Sequence, residues 1–236
     1  MKYLLWDFDN TLGYREGMWS GTLHSILISN EIHNIHLEDI LPFLNIGFTW
    51  HSPETPHSLL FNGKTWWEYM NDYFVEVYEK VGIAKKEAIK YALQVQNEYK
   101  NINKWHLYND VIPTLESTIK NNYKNVILSN HIPELHEIID KLNIKKYFDE
   151  IYTSGKIGYE KPSLKFYDYV LSDLKIEKKE CVMIGDSYNA DISGALRAGI
   201  QAILVRKPND KNYKFYSKDL EKILKIIRKI SIDKNQ

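Results

Sequence analysis

The stretch WDFDNTLG, residues 6–13, decides how the rest of the chain is read. The run before it, Lys2-Tyr3-Leu4-Leu5-Trp6, is short and apolar, the pattern of a buried strand. That strand ends in Asp7 and Asp9, with Asn10, Thr11 and Leu12 directly after. A carboxylate taken out of water costs several kcal/mol unless it is paired or bound to a metal, and two close together repel. A structural strand gains nothing from this; a chain that concentrates negative charge at the mouth of a sheet does. Residues i and i+2 of an extended strand point the same way, so Asp7 and Asp9 can flank one group.

Outward from this stretch, the C-terminal half alternates strand and helix. Short apolar runs end at Ser129-Asn130, at Tyr152, at Gly185-Asp186 and at Pro208. Between them, helical periodicity predicts helices over 113–122, from Pro133 to about Leu142, over 163–174, and over 191–198 closed by Gly199. Such alternation predicts a parallel sheet covered on both faces. The tail, 218–230, reads as an amphipathic helix with a solvated lysine face. Residues 14–105 lack the alternation. They hold helical patterns over 20–32, 65–81 and 85–99, and between the first two a looser piece with Pro42, Pro53, Pro56 and Asn62-Gly63 reads as turns. The expectation is an α/β chain: a Rossmann-like, three-layer parallel-sheet core from 1–13 and 106–236, with a mostly α-helical cap domain, 14–105, inserted after the first strand.

Composition narrows the function. The 236 residues are 44% hydrophobic, and 31 Lys+Arg balance 31 Asp+Glu. This balance argues against a nucleic-acid or membrane binder driven by charge. Cys181, the one cysteine, sits in an apolar run and reads as a buried hydrophobe. No apolar run approaches the roughly 18 residues a membrane span needs, and a soluble cytoplasmic protein, monomer or homodimer, is expected.

Four polar clusters each follow an apolar strand or lie in a loop on the same side: Asp7-Phe8-Asp9-Asn10-Thr11, Ser129-Asn130, Glu160-Lys161-Pro162, and Gly185-Asp186 through Asp191. In an open parallel sheet, ligands bind beyond the carboxyl ends of the strands, so topology can gather these clusters into one pocket. In this order, with a helical insertion after the first, they resemble the haloacid dehalogenase superfamily of phosphohydrolases over the whole chain. The resemblance implies that Asp7 is the nucleophile forming an aspartyl-phosphate, that Asp9 is general acid and then base, and that Lys161 offsets negative charge. It implies Ser129, Asn130 and Lys161 as phosphate-binding residues. It implies Mg²⁺ held by Asp7, Asp186 and the backbone carbonyl of Asp9, with Asp191 as a direct or outer ligand. The implied substrate is a small phosphorylated metabolite. Asp191 could instead cap the helix that follows it.

Asp9 disfavours a dehalogenase, which lacks a second acid at that position. A sugar-phosphate mutase on the same site, and a non-catalytic phosphate-binding protein retaining the fold, are the alternatives. His131 is a candidate substrate contact. Trp19, Arg15 and Lys64 are candidates for substrate choice from the inserted segment, whose aromatic residues otherwise read as packing. His33 and His36 read as a solvated face.

Overall fold

The computed structural model describes residues 2–55 and 63–233. In chain order the elements are β1 (Tyr3–Trp6), β2 (Gly13–Arg15), α1 (Met18–Ser29), α2 (Leu37–Ile40), α3 (Gly63–Lys80), α4 (Lys85–Ala92), α5 (Val95–Tyr99), β3 (Trp105–Leu107), α6 (Val111–Lys120), β4 (Lys124–Ser129), α7 (Leu135–Lys141), β5 (Glu150–Thr153), α8 (Ser154–Ile157), α9 (Leu164–Leu174), β6 (Cys181–Gly185), α10 (Gly194–Arg197), β7 (Gln201–Val205), β8 (Tyr216–Ser217) and α11 (Ile223–Asp233).

Six strands form one parallel sheet in the order β5-β4-β1-β6-β7-β8. Alternation along each strand sends its side chains to opposite faces. Leu4, Trp6, Ile127, Ile184 and Ile203 pack on one face with Val111, Leu115, Ile138 and Ile227 of α6, α7 and α11. Leu5, Val126, Leu128, Met183 and Ala202 pack on the other with Phe166, Val170 and Ala195 of α9 and α10. This is the three-layer Rossmann-like α/β fold expected from the alternation. Cys181 is buried in the second layer.

The turn after β1 is tight. The amides of Thr11, Leu12 and Gly13 all point at the Phe8 carbonyl, at 3.2, 2.9 and 3.0 Å. Asn10 takes φ 57°, a left-handed conformation that asparagine tolerates. A Cβ on Gly13 would stand 2.9 Å from the Phe8 ring, so only glycine lets the chain turn back here. It turns into β2, which pairs antiparallel with β3. The helices α1 to α5 run between these two strands.

The structure departs from the sequence reading in several places. The two-stranded β2–β3 pair and the edge strand β8 were not expected; both are two or three residues long and carry no periodicity. The helix expected over 85–99 breaks at Leu93-Gln94, because α4 packs on α3 whereas α5 packs on α1. The tail helix begins at Ile223, later than expected, because β8 joins the sheet and the Leu220 amide donates to Asp110 at 2.8 Å. Pro42 lies in a 3₁₀ helix, Leu41–Leu44, continuous with α2, and not in a loop. The turns expected at Pro56 and Asn62 lie outside the described residues. No described helix is long and apolar enough to cross a membrane.

Candidate active site

The carboxyl ends of β1, β4 and β6, neighbours at the centre of the sheet, open on one place. The Asp7 amide still donates to the Ile184 carbonyl at 2.9 Å, so the ladder runs into the first aspartate and fixes its backbone. Asp7 Oδ1 accepts from Ser129 Oγ at 2.9 Å and from Lys161 Nζ at 2.8 Å. Lys161 Nζ also donates to Asp191 Oδ1 at 2.6 Å. Carboxylate oxygens of Asp7, Asp186 and Asp191 lie within 4.8 Å of one another, and all three residues are buried.

Local structure explains each placement. Lys161 arrives on the loop between α8 and α9, and its peptide bond to Pro162 is cis. The Asn130 side chain clasps its main chain: Lys161 N–H donates to Oδ1, and Nδ2 donates to the Lys161 carbonyl, both at 2.8 Å. Asp191 was expected at the start of a helix. That helix opens earlier, with a π-turn over Tyr188–Ser193, and Ser187 caps it by accepting from the Ala190 amide at 3.1 Å. The Asp191 carboxylate instead accepts from the Ser187 amide at 2.9 Å and turns inward. Gly185 makes room for it, since a Cβ there would collide with the Asp191 carboxylate.

Burial sets the electrostatics. It is the largest cause raising Asp186 and Asp191 above the usual carboxylate range, and Asp7 adds to both shifts. Burial disfavours charge on Lys161 as well, but Asp191 and Asp7 outweigh it and hold the ammonium protonated. Asp186 is also paired with Lys207 at 2.8 Å.

Asp9 borders this cluster without a hydrogen bond to it among the described residues. Burial raises it well above its ordinary value, and Asp7 and Asp186 add to the shift while Lys161 opposes it. Burial is the larger cause, ahead of crowding by the Asp7 carboxylate. Phe8, Tyr99, Trp105 and His131 form an aromatic group beside it. Burial is the main cause pushing the His131 imidazole down to about 3, against a weaker pull from the Ile132 main chain, so the ring is neutral.

The structure thus brings Asp7, Asp9, Ser129, Lys161, Asp186 and Asp191 together, with Asn130 committed through its side chain to Lys161. It does not bring in the three residues suggested for substrate choice. Arg15 is buried and donates to Glu98 Oε1 at 2.7 Å and to the carbonyls of Glu16, Met18 and Glu98. Trp19 is buried and stacked on Tyr99, with centroids 3.9 Å apart. Lys64 is 84% exposed, beside Glu68. His33 and His36 are exposed, as read. Sequence reading missed Lys207 and Tyr99. Lys207 could have been found, because it follows β7 as the other site residues follow their strands; Tyr99 had no signal beyond helical spacing.

The family model described as haloacid dehalogenase-like hydrolase matches residues 4–205. The glyceraldehyde 3-phosphate phosphatase of Methanothermobacter thermautotrophicus is 36% identical over 93 residues, 39% of this chain and 41% of that protein. Haloacid dehalogenase-like hydrolase domain-containing protein 3 of Bos taurus is 25% identical over 158 residues, 66% of this chain and 63% of that one. The match thus spans less than two thirds of either relative. Among solved structures, YfnB of Bacillus subtilis, of the same family and bound to magnesium, superposes with TM-score 0.74 at 17% identity over 96% of this chain and 98% of that one. A 2-haloacid dehalogenase from Pseudomonas syringae gives 0.69 at 18% identity over 97% and 99%. At these identities the structural likeness concerns the fold alone.

Proposed function

The chain belongs to the haloacid dehalogenase-like hydrolase family, and we propose that it is a Mg²⁺-dependent phosphatase that hydrolyses a small phosphorylated metabolite through an aspartyl-phosphate on Asp7. The observation that carries this reading is the meeting of three buried carboxylates and one buried lysine at the ends of the central strands. Relatives that act on phosphorylated substrates by name, such as the archaeal glyceraldehyde 3-phosphate phosphatase, support the substrate class.

The donor set fits the metal. Mg²⁺ prefers hard oxygen ligands such as carboxylates, and three buried carboxylates each offer an oxygen within 4.8 Å of the others. Asp7, Asp186 and Asp191 would hold the ion, with the Asp9 carbonyl completing the protein ligands. Bound there, Mg²⁺ supplies positive charge against phosphate oxygens and the attacking carboxylate.

The chain's own residues supply the rest. Ser129 and Lys161 both hold Oδ1 of Asp7, which leaves Oδ2 as the oxygen that attacks phosphorus. As the P–O bond to the leaving group breaks, Asp9 gives that oxygen its proton. The resulting Asp9 carboxylate then takes a proton from water as the water oxygen attacks phosphorus, releasing phosphate and free Asp7. Burial suits Asp9 to hold a proton for the first step. Lys161 balances charge between nucleophile and phosphoryl group. We read residues 14–105 as a cap domain that excludes water. Trp67 and Gln96 donate to Glu134, at 2.9 and 2.8 Å, so this segment packs on the loop beyond Ser129. A panel of phosphorylated metabolites, scored by released phosphate with and without Mg²⁺, tests the reading; no Mg²⁺-dependent release from any member defeats it.

A further inference from the structure

Buried polar atoms in folded proteins are almost always hydrogen-bonded, so two that face each other unbonded call for a cause. Asp9 Oδ1 and His131 Nε2 are such a pair. Both atoms are buried, neither makes a hydrogen bond among the described residues, and they lie 3.5 Å apart. Apart from the weak pull of the Ile132 main chain, His131 Nδ1 also has no partner among the described residues. Phe8, Tyr99 and Trp105 wall the imidazole with ring centroids at 5.8, 5.7 and 5.6 Å. The backbone of His131 is anchored elsewhere: its N–H donates to Ser154 Oγ at 3.2 Å, and its carbonyl accepts from the Gly155 amide at 3.1 Å. The gap to Asp9 exceeds an ordinary N–H···O bond by about half an ångström. Catalytic hydrogen bonds are often long in ligand-free enzymes and tighten when substrate binds.

We infer that His131 is a positioning residue for Asp9: its Nε2–H donates to Oδ1 when the site is engaged, and keeps Oδ2 as the oxygen that exchanges a proton with the leaving group and with water. This rests on the phosphatase reading and adds a residue to it. A free carboxyl group can rotate and carry its proton on either oxygen. A donor fixed at Oδ1 excludes the proton from that oxygen, because two hydrogens would then meet. Oδ1 accepts in both protonation states of Asp9, so the same bond serves the acid step and the base step.

Such a role also gives a run of three residues at the end of β4 one purpose. Ser129 holds the carboxylate of Asp7, Asn130 holds the main chain of Lys161, and His131 faces Asp9. Nucleophile, charge-balancing lysine and proton donor would each be oriented by successive residues of one strand end.

The test compares esters of similar shape that differ in their need for an acid: phenyl phosphate, with a poor leaving group, and p-nitrophenyl phosphate, with a good one. Full-length protein in Mg²⁺ is assayed as wild type, H131F, H131Q, D9N and H131F/D9N. General acids contribute roughly 10²–10⁴-fold, so H131F should lower kcat on phenyl phosphate about 10²-fold, and on p-nitrophenyl phosphate about tenfold less. H131Q keeps a donor near Nε2 and should recover at least about tenfold of the phenyl phosphate loss. In the double variant, H131F should add less than about twofold to the loss already caused by D9N, since residues acting through one group are not additive. An equal loss on both esters, or an undiminished loss in the D9N background, overturns the inference and leaves the phosphatase reading standing. Wild type that hydrolyses neither ester overturns both. Near-ultraviolet circular dichroism checks the fold. If H131F does not fold, H131L against H131Q makes the same comparison, and an equal loss on both esters again overturns the inference.

Discussion

Arg15 and Lys161 are both cations buried almost completely, and each is paired with a carboxylate, yet they sit in different electrostatic worlds. Arg15 closes the base of the helical segment. Its guanidinium meets Glu98 and three main-chain carbonyls, and Glu98 also receives Lys104 at 2.8 Å. Two bases meet one acid there, so no negative charge is left over, and the acid keeps some contact with water. Lys161 meets Asp7 and Asp191 with Asp186 close by, and Lys207 pairs with Asp186. Three carboxylates face two ammonium groups before Asp9 is counted. Burial of charge is common to both regions and so identifies neither. A surplus of negative charge separates a site arranged to receive a cation from a structural clasp that has none.

The sharpest way to break this comparison is to neutralise one charge in each region. Asp7→Asn should lower turnover of p-nitrophenyl phosphate by at least about 10⁴-fold, or about 5.5 kcal/mol at 1.36 kcal/mol per factor of ten. In Mg²⁺-free buffer its thermal midpoint should not fall, because the substitution relieves repulsion at a site where function opposes stability. A variant that melts early and turns over normally would contradict the assignment of this region. Arg15→Ala should do the reverse. Removing one partner of a buried pair costs about 3–5 kcal/mol. The lower end is expected because Lys104 still neutralises Glu98. Urea unfolding reads the loss, while kcat of the folded protein should stay within about twofold, since the described contacts of Arg15 are with Glu98, main-chain carbonyls and the Tyr99 ring, not with the carboxylates or the lysine of the Asp7 cluster.

Surplus charge also predicts a response to metal. With free Mg²⁺ at a hundredfold excess over its dissociation constant, the folded state should gain about 2.7 kcal/mol, seen as a rise in thermal midpoint that chelation reverses. Asp186→Asn should abolish the rise, and Arg15→Lys should leave it unchanged. Equal midpoints with and without Mg²⁺ in the wild type would remove the metal from the account.

These two regions were not equally legible in the sequence. Strand ends could be read because a parallel sheet places its ligands by topology, and Asp7, Ser129 and Asp186 each follow an apolar run. Lys161 came with its loop through the same ordering. The helical segment resisted reading because aromatic residues at helical spacing look alike whether they pack or bind. Trp19 stacks inside, and Arg15 is a clasp, although both precede a candidate pocket in sequence. Asp191 could be placed near the site but not oriented. Its direction depends on the π-turn and on the space left by Gly185, and neither shows as periodicity.

Glu160 offers the smallest test, and it draws the boundary of the charged region within one residue. It adjoins Lys161 and is as buried, but its carboxyl bonds Thr49 of the helical segment and, among the described residues, takes no part in the Asp7 cluster. Burial pushes it from 4.5 up to about 7, and the bond from Thr49 only partly opposes this. A carboxyl raised on folding keeps its proton in the native state at pH values where the unfolded chain has released it. Its contribution is therefore present in full below 4.5, declines across the window up to about 7, and is gone above it. Stability should fall with rising pH through that window, by on the order of 3 kcal/mol, since each pH unit between the two values is worth about 1.36 kcal/mol. Glu160→Gln, neutral at every pH and of the same shape, should flatten this decline and leave the turnover lost in Asp7→Asn where it was. Parallel stability curves for wild type and Glu160→Gln would mean that the carboxyl is charged in the folded protein, and that the surplus of negative charge extends beyond the strand ends into the loop that carries Lys161.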